Sequence, residues 1–151
     1  ALRIGYGTGP GVGLASLLLI CGAVVGLAGS VLVGTGYTAA CPAIPLCDSR
    51  SALWPGLIHT IHRTAAILLL LTLVITAIRM PQRGAIPFFT AINHSVILLV
   101  IVQILVGILS VWRVFPEGLR VAHVGLAAMT WWGLVSMWTA TMLFRKPWQQ
   151  S

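Results

Sequence analysis

Four long apolar runs dominate the chain, at Val12–Val33, Leu57–Ile78, Ile92–Val111 and Leu119–Phe144. Most of the charged residues fall between or beside these runs. Each run is about the 20 residues that a helix needs to cross a bilayer. The pattern therefore predicts an all-α integral membrane protein, with residues 1–151 forming one domain, a four-transmembrane-helix bundle. Too little chain is left for a soluble domain, so the core is the bundle interior. The first run is too long for a signal peptide, and no small-residue cleavage site follows it. The chain begins at Ala1, which fits a processed chain or one part of a longer polypeptide.

Composition agrees with this reading. Hydrophobic residues make up 58% of the chain and charged residues 7%, against about 25% charged in a soluble domain. A net charge of +7 raises the question of nucleic acid. The nine Lys and Arg residues are scattered rather than gathered in a basic stripe, which argues against nucleic acid as a partner. They suit membrane orientation instead. Arg3, Arg79, Arg83, Arg145 and Lys146 fall on one side, and Arg50, Arg113 and Arg120 on the other, together with both acids, Asp48 and Glu117. The excess of positive charge puts both termini in the cytoplasm and the first and third loops outside. A prokaryotic plasma membrane is the expected location.

The first loop contains Cys41-Pro-Ala-Ile-Pro-Leu-Cys47. An outer compartment lets disulfides persist, and Pro42 and Pro45 favour the turn that would bring Cys41 and Cys47 together. The spacing predicts a disulfide; two unpaired thiols or a metal pair are the alternatives. Cys21 lies inside the first helix and reads as a small apolar residue. Gly22, Gly26 and Ser30 form a small-residue face that would let another helix approach closely. Trp54, Trp112 and Trp148 suit the membrane interface. Trp131, Trp132 and Trp138 lie deeper and read as lipid-facing or core residues, with packing against a ring-shaped ligand as the other option.

Histidines carry the candidate chemistry, because ionisable residues within a bilayer are costly and point to function. His62 lies about 7.5 Å into the second helix and His123 about 6 Å into the fourth, taking 1.5 Å per residue from Leu57 and Leu119. Both helices enter from the outside, so the two imidazoles share a depth. Such a pair suits axial ligation of haem iron from opposite faces, with hydrogen bonding between helices as the bland alternative. Arg63 and Arg120 stand beside them as partners for haem propionates. His59, three residues before His62, shares its helix face and could be a ligand, a propionate partner or a proton carrier. His94 starts the third helix from the cytoplasmic side and reads as interfacial. The two hairpins also form a faint repeat, each a small-residue outward helix followed by a returning helix with a histidine near its start. Two such hairpins would face each other about an axis along the membrane normal.

The stretch Gly34-Thr-Gly-Tyr-Thr-Ala-Ala-Cys-Pro-Ala-Ile-Pro-Leu-Cys47, followed by Ile58-His-Thr-Ile-His-Arg63, resembles the heme A synthase family. So do Gln103-Ile-Leu-Val-Gly107 and Leu119-Arg-Val-Ala-His-Val124. That family is built from two similar four-helix halves, each with a histidine pair, and half-sized members exist. The resemblance covers one half. It implies oxidation of the haem O methyl to a formyl group, giving haem A for cytochrome oxidase biogenesis. It also implies His62 and His123 as axial ligands and Cys41 and Cys47 as the outer cysteine pair. One departure stands out: the catalytic half places a carboxylate three residues before its first histidine, and here that position is His59. The chain is in this respect more similar to a half that holds haem b. The alternative function is therefore a bis-histidine b-type cytochrome subunit for electron transfer, with a second copy, a second half or respiratory-complex subunits as partners. A haem-free structural subunit is a third reading.

Overall fold

The computed structural model describes residues 11–44, 47, 53–82, 87–114 and 116–143. Within them the chain is helical, in the order α1 (Val12–Gly34), a short 3₁₀ turn (Tyr37–Ala39), α2 (Leu53–Gln82), α3 (Pro87–Trp112) and α4 (Glu117–Leu143). All four expected helices are present. The middle two are longer than the apolar runs: α2 starts at Leu53 rather than Leu57, and α3 at Pro87 rather than Ile92. Proline explains both extensions. Pro55 and Pro87 lie in the first turns of their helices, where a missing N–H costs no helical hydrogen bond. The expected helix end at Phe144, the charged residues Arg3, Asp48, Arg50, Arg83, Arg145 and Lys146, and the interfacial Trp148 lie outside the described residues.

Three helices are long and apolar enough to cross a membrane: α1, α2 over Leu53–Arg79, and α3. The fourth is of similar length, but Thr130 and Thr141 are buried on its inner side and lower its apolarity. Large apolar side chains such as Ile20, Leu27, Leu98 and Leu105 remain exposed on the outside of the helices.

Local chemistry ends α1. Thr35 stops α1 by turning its Oγ1–H onto the Val31 carbonyl (2.6 Å), and Gly36 follows at φ 73°, a left-handed conformation that glycine adopts without a Cβ clash. After α3 the chain turns through Val114 at φ 59°, an unfavourable conformation for a β-branched residue.

The helices form a ring in chain order, with α4 closing against α1, so that α2 and α4 stand diagonally opposite. The packed core gathers at the end of the ring away from the cysteine loop. It contains Leu18 near the start of α1, Leu73 on α2, Phe89 and Val96 on α3, and Leu134 and Met137 on α4. Asn93 is fully buried there and donates to the Leu73 carbonyl (3.2 Å). The small-residue face on α1 does not act as one surface. Gly22 packs against Leu134 and Trp131 of α4, whereas Gly26 and Ser30 are exposed, with the Ser30 hydroxyl bonded back to the Gly26 carbonyl. Trp131 and Trp132 are exposed, and half-buried Trp138 donates to Ser16 Oγ (3.3 Å).

Two glycines make the closest helix crossings, and they should differ in their tolerance of a methyl group. A Cβ on Gly133 would run into Cγ2 of buried Val96, whose branched side chain has one strongly favoured rotamer in a helix. A Cβ on Gly22 would run into the tip of the Leu134 side chain and touch the Trp131 ring at ordinary van der Waals distance. Gly133→Ala is expected to destabilise the bundle by about 1–3 kcal/mol, as overpacking does, and Gly22→Ala by less. Thermal unfolding in detergent measures both, and equal midpoints for the two variants would refute the packing argument.

Candidate functional site

His62 on α2 and His123 on α4 face each other across the ring, with imidazole centroids 6.4 Å apart and planes inclined at 58°. The longer α2 places His62 nine residues from the helix start, deeper than the apolar run suggests, and the two rings still meet. Each is fixed by the helix that precedes it. His62 Nδ1 lies 3.0 Å from the Val25 carbonyl on α1, and His123 Nδ1 lies 3.1 Å from the Gln103 carbonyl on α3. A carbonyl only accepts, so Nδ1 carries the proton in each neutral ring and the lone pair is on Nε2. Neither Nε2 has a hydrogen-bond partner among the described residues.

The two histidine settings are copies of one another. One turn after each accepting carbonyl is a glycine, Gly29 or Gly107, and a Cβ on either would lie 3.2 Å from the Cε1 atom of the facing imidazole. These glycines leave just enough room for the rings. Gln103 is further tied by Thr130, whose hydroxyl donates to its side-chain oxygen (3.2 Å). The faint repeat between the two hairpins thus reappears as matched geometry.

Both rings border a cavity of about 710 Å³ at the cysteine-loop end of the ring, within the usual size range of small-molecule sites. Its walls match across the repeat. Gly29, Leu32 and Val33 of α1 correspond to Gly107, Ser110 and Val111 of α3, and His59, His62 and Arg63 of α2 to Arg120, His123 and Val124 of α4. Most of the lining is apolar, and the charged residues on it are Arg63, Arg120 and Glu117.

The other sequence candidates also find places. Cys41 and Cys47 are joined by a disulfide, with Cα atoms 5.2 Å apart; Cys21 is free and half-buried. Arg63 ties this loop to the cavity wall, donating from Nη1 to the Ala43 carbonyl (2.6 Å) and from Nη2 to the Cys41 carbonyl (2.9 Å). His59 is buried, with Nε2–H donating to the Tyr37 carbonyl (2.9 Å), so its Nδ1 is the accepting nitrogen. Arg120 is exposed at the cavity rim. His94 stands apart. Because α3 begins at Pro87, His94 lies two turns into the helix rather than at its start, exposed, with Nδ1 on its own Thr90 carbonyl (2.7 Å). Sequence reasoning missed Gly29 and the cavity position of Glu117. A signal for the first was present, since Val25-x-x-x-Gly29 repeats the spacing of Gln103-x-x-x-Gly107.

The residues present fit a metal held between two imidazoles. Two rings bound at roughly 2 Å through Nε2 would have centroids about 6 Å apart, close to the observed 6.4 Å. An imidazole whose second nitrogen donates to a backbone carbonyl is the usual setting of a metal-ligating histidine. Among the described residues no group of three or more His, Cys, Asp or Glu side chains could hold a metal ion. Compared with known proteins, the chain matches no family model and no curated sequence.

The Arg63 contacts give a direct test of the loop attachment. Hydrogen bonds from a charged donor contribute about 1.5–3 kcal/mol each. Arg63→Ala is expected to speed amide hydrogen exchange around Cys41–Ile44 by about tenfold or more, with the disulfide intact. Unchanged exchange would show that the disulfide alone holds the loop.

Proposed function

We propose that this chain is a haem-binding integral membrane protein whose four helices all cross the bilayer, with both termini cytoplasmic and the Cys41–Cys47 loop outside. A prokaryotic plasma membrane suits this arrangement. The observation that carries the haem reading is the facing pair His62 and His123, each with Nδ1 on a backbone carbonyl and Nε2 unpartnered at one cavity. The membrane reading extends from three helices to α4 because α4 stands in the same ring and two of its polar residues, Thr130 and Thr141, are buried, whereas Ser136 and Thr139 are exposed.

In this reading His62 and His123 would hold the haem iron through Nε2, and the Val25 and Gln103 carbonyls would raise the basicity of the rings through their Nδ1 protons. Arg63 and Arg120 lie on the cavity wall where they would neutralise the ligand's carboxylates. When bound, haem supplies the redox-active iron and the oxidisable ring methyl. The resemblance to heme A synthase gives the reaction: oxidation of the haem O methyl to the formyl of haem A, in support of cytochrome oxidase biogenesis. With Nε2 of His62 and His123 taken by the metal, Glu117 and the Nδ1 atom of His59 would be proton acceptors among the described residues of the cavity wall.

A second reading is a bis-histidine b-type cytochrome subunit that passes electrons to a second copy, a second half or respiratory-complex subunits. Histidines on both faces would leave no axial position open on the iron, and His59 occupies the position where the resemblance expects a carboxylate.

Purification followed by haem extraction separates these readings. Haem A or a hydroxylated intermediate supports the enzyme, haem B alone supports the cytochrome, and absence of haem overturns both. His62→Ala and His123→Ala are each expected to abolish the six-coordinate low-spin spectrum, whereas His94→Ala leaves it intact. An unchanged spectrum in both ligand variants would end the haem reading. The orientation is tested by cysteine labelling of the loop near Arg83, which is expected to react from the cytoplasmic side only.

A further inference from the structure

Six pairs of residues correspond across the repeat at the cavity wall, and they divide evenly. Gly29/Gly107, Val33/Val111 and His62/His123 are identical in both halves. Leu32/Ser110, His59/Arg120 and Arg63/Val124 differ. We propose that the cavity accepts a haem in two orientations related by turning the macrocycle over, and that the three unlike pairs determine which one predominates. This rests on the haem reading above.

The ring places α1 opposite α3 and α2 opposite α4, the order that a half-turn about an axis along its middle would preserve. The matched bonds from Nδ1 to the Val25 and Gln103 carbonyls, 3.0 and 3.1 Å, and the matched 3.2 Å glycine contacts show how closely the frame obeys it. A metal held equally by both imidazoles lies on this axis. A macrocycle set across the line between the two nitrogens therefore contains the axis in its plane. A half-turn about the axis turns the macrocycle over and brings the protein frame back onto itself. Axial ligation, the glycine contacts and the paired valines therefore do not distinguish the two orientations.

Gly36, Thr38, Ile44 and Glu117 line the cavity without a counterpart; among the residues that do correspond, discrimination falls to the unlike pairs, each by its own chemistry. Leu32 fills space that Ser110 leaves open; the Ser110 hydroxyl is already bonded to the Val106 carbonyl (2.8 Å), so this pair differs mainly in bulk. The bulkier edge of the macrocycle is directed to the Ser110 side. His59, with Nε2–H on the Tyr37 carbonyl, presents an acceptor, and Arg120 presents only donors. Turning the macrocycle over exchanges its two propionates, so this pair acts on the other substituents, and a hydroxyl-bearing one is directed to His59. Arg63 is anchored on the loop carbonyls of Cys41 and Ala43 and keeps its charge on one side, opposite apolar Val124. In an enzyme, this choice sets which ring methyl lies beside His59.

Proton NMR of the oxidised, haem-loaded protein in detergent tests the proposal, since each orientation gives its own set of shifted ring-methyl resonances. The probes are protohaem, haem O and a synthetic iron porphyrin whose substituents are symmetric about the line between its propionates. Protohaem is expected to give a major and a minor set, and the symmetric porphyrin one set. Leu32→Ser, which makes that pair alike, is expected to shift the two protohaem populations at least threefold towards equality. The Arg120→His/Val124→Arg variant is expected to do the same for haem O, whose hydroxyl distinguishes His59 from Arg120. A single protohaem set in the wild type and in both variants overturns the proposal while the low-spin spectrum leaves the haem reading standing. Failure of the wild type to bind any of the three overturns both.

Discussion

A neutral imidazole has one nitrogen that donates and one that accepts, and in this bundle the backbone of the neighbouring helix takes the donor. The Val25 carbonyl on α1 and the Gln103 carbonyl on α3 hold the Nδ1 protons of His62 and His123, and the rest of the site follows from this. The carbonyls are available only because the imidazoles approach the preceding helices closely, and that approach needs Gly29 and Gly107 beneath the rings. With Nδ1 engaged, Nε2 has its lone pair available at the cavity. The rings do bond between helices, which was the bland alternative for buried histidines, but these bonds and a metal-binding role are compatible. The first fixes the tautomer that the second needs.

Much of the architecture could be read from hydrophobic pattern. The four apolar runs gave four helices, since a long apolar stretch has few ways to satisfy its backbone other than a helix. Their ends were less legible, because Pro55 and Pro87 look like breakers in a sequence but fit a first helical turn. Candidate residues chosen by chemical type, His59, His62, Arg63, Arg120 and His123, all came to one cavity, because helix periodicity and shared depth fix their height and face. What escaped notice depends on partners distant in sequence. Nothing local to Arg63 indicates that it holds the carbonyls of Cys41 and Ala43. Nothing in Gly22-x-x-x-Gly26 shows that only the first glycine meets another helix, since that depends on the rotation of α1 about its own axis.

The outer loop and the cavity belong to one structural unit. Arg63 follows His62 in sequence, and its guanidinium reaches the loop closed by the Cys41–Cys47 disulfide. Ile44 of the same loop and Thr38 near the 3₁₀ turn contribute to the cavity wall. His59 joins this assembly through the Tyr37 carbonyl. One side of the site is thus braced by covalent and charged contacts, whereas the Arg120 side stands at the start of a helix with its side chain exposed.

The packed cluster from Leu18 and Leu73 to Phe89 and Met137 lies towards the opposite end of the bundle, with half-buried Ile104 packed against it and also lining the cavity. In many small metal-binding domains, folding and loading are a single event, because the empty chain has no structure of its own. Here the packing that holds the helices together lies largely apart from the cavity. Were the cavity to hold haem as proposed, the polypeptide could be inserted and packed first and loaded afterwards, and delivery would be exchange at a finished container rather than refolding.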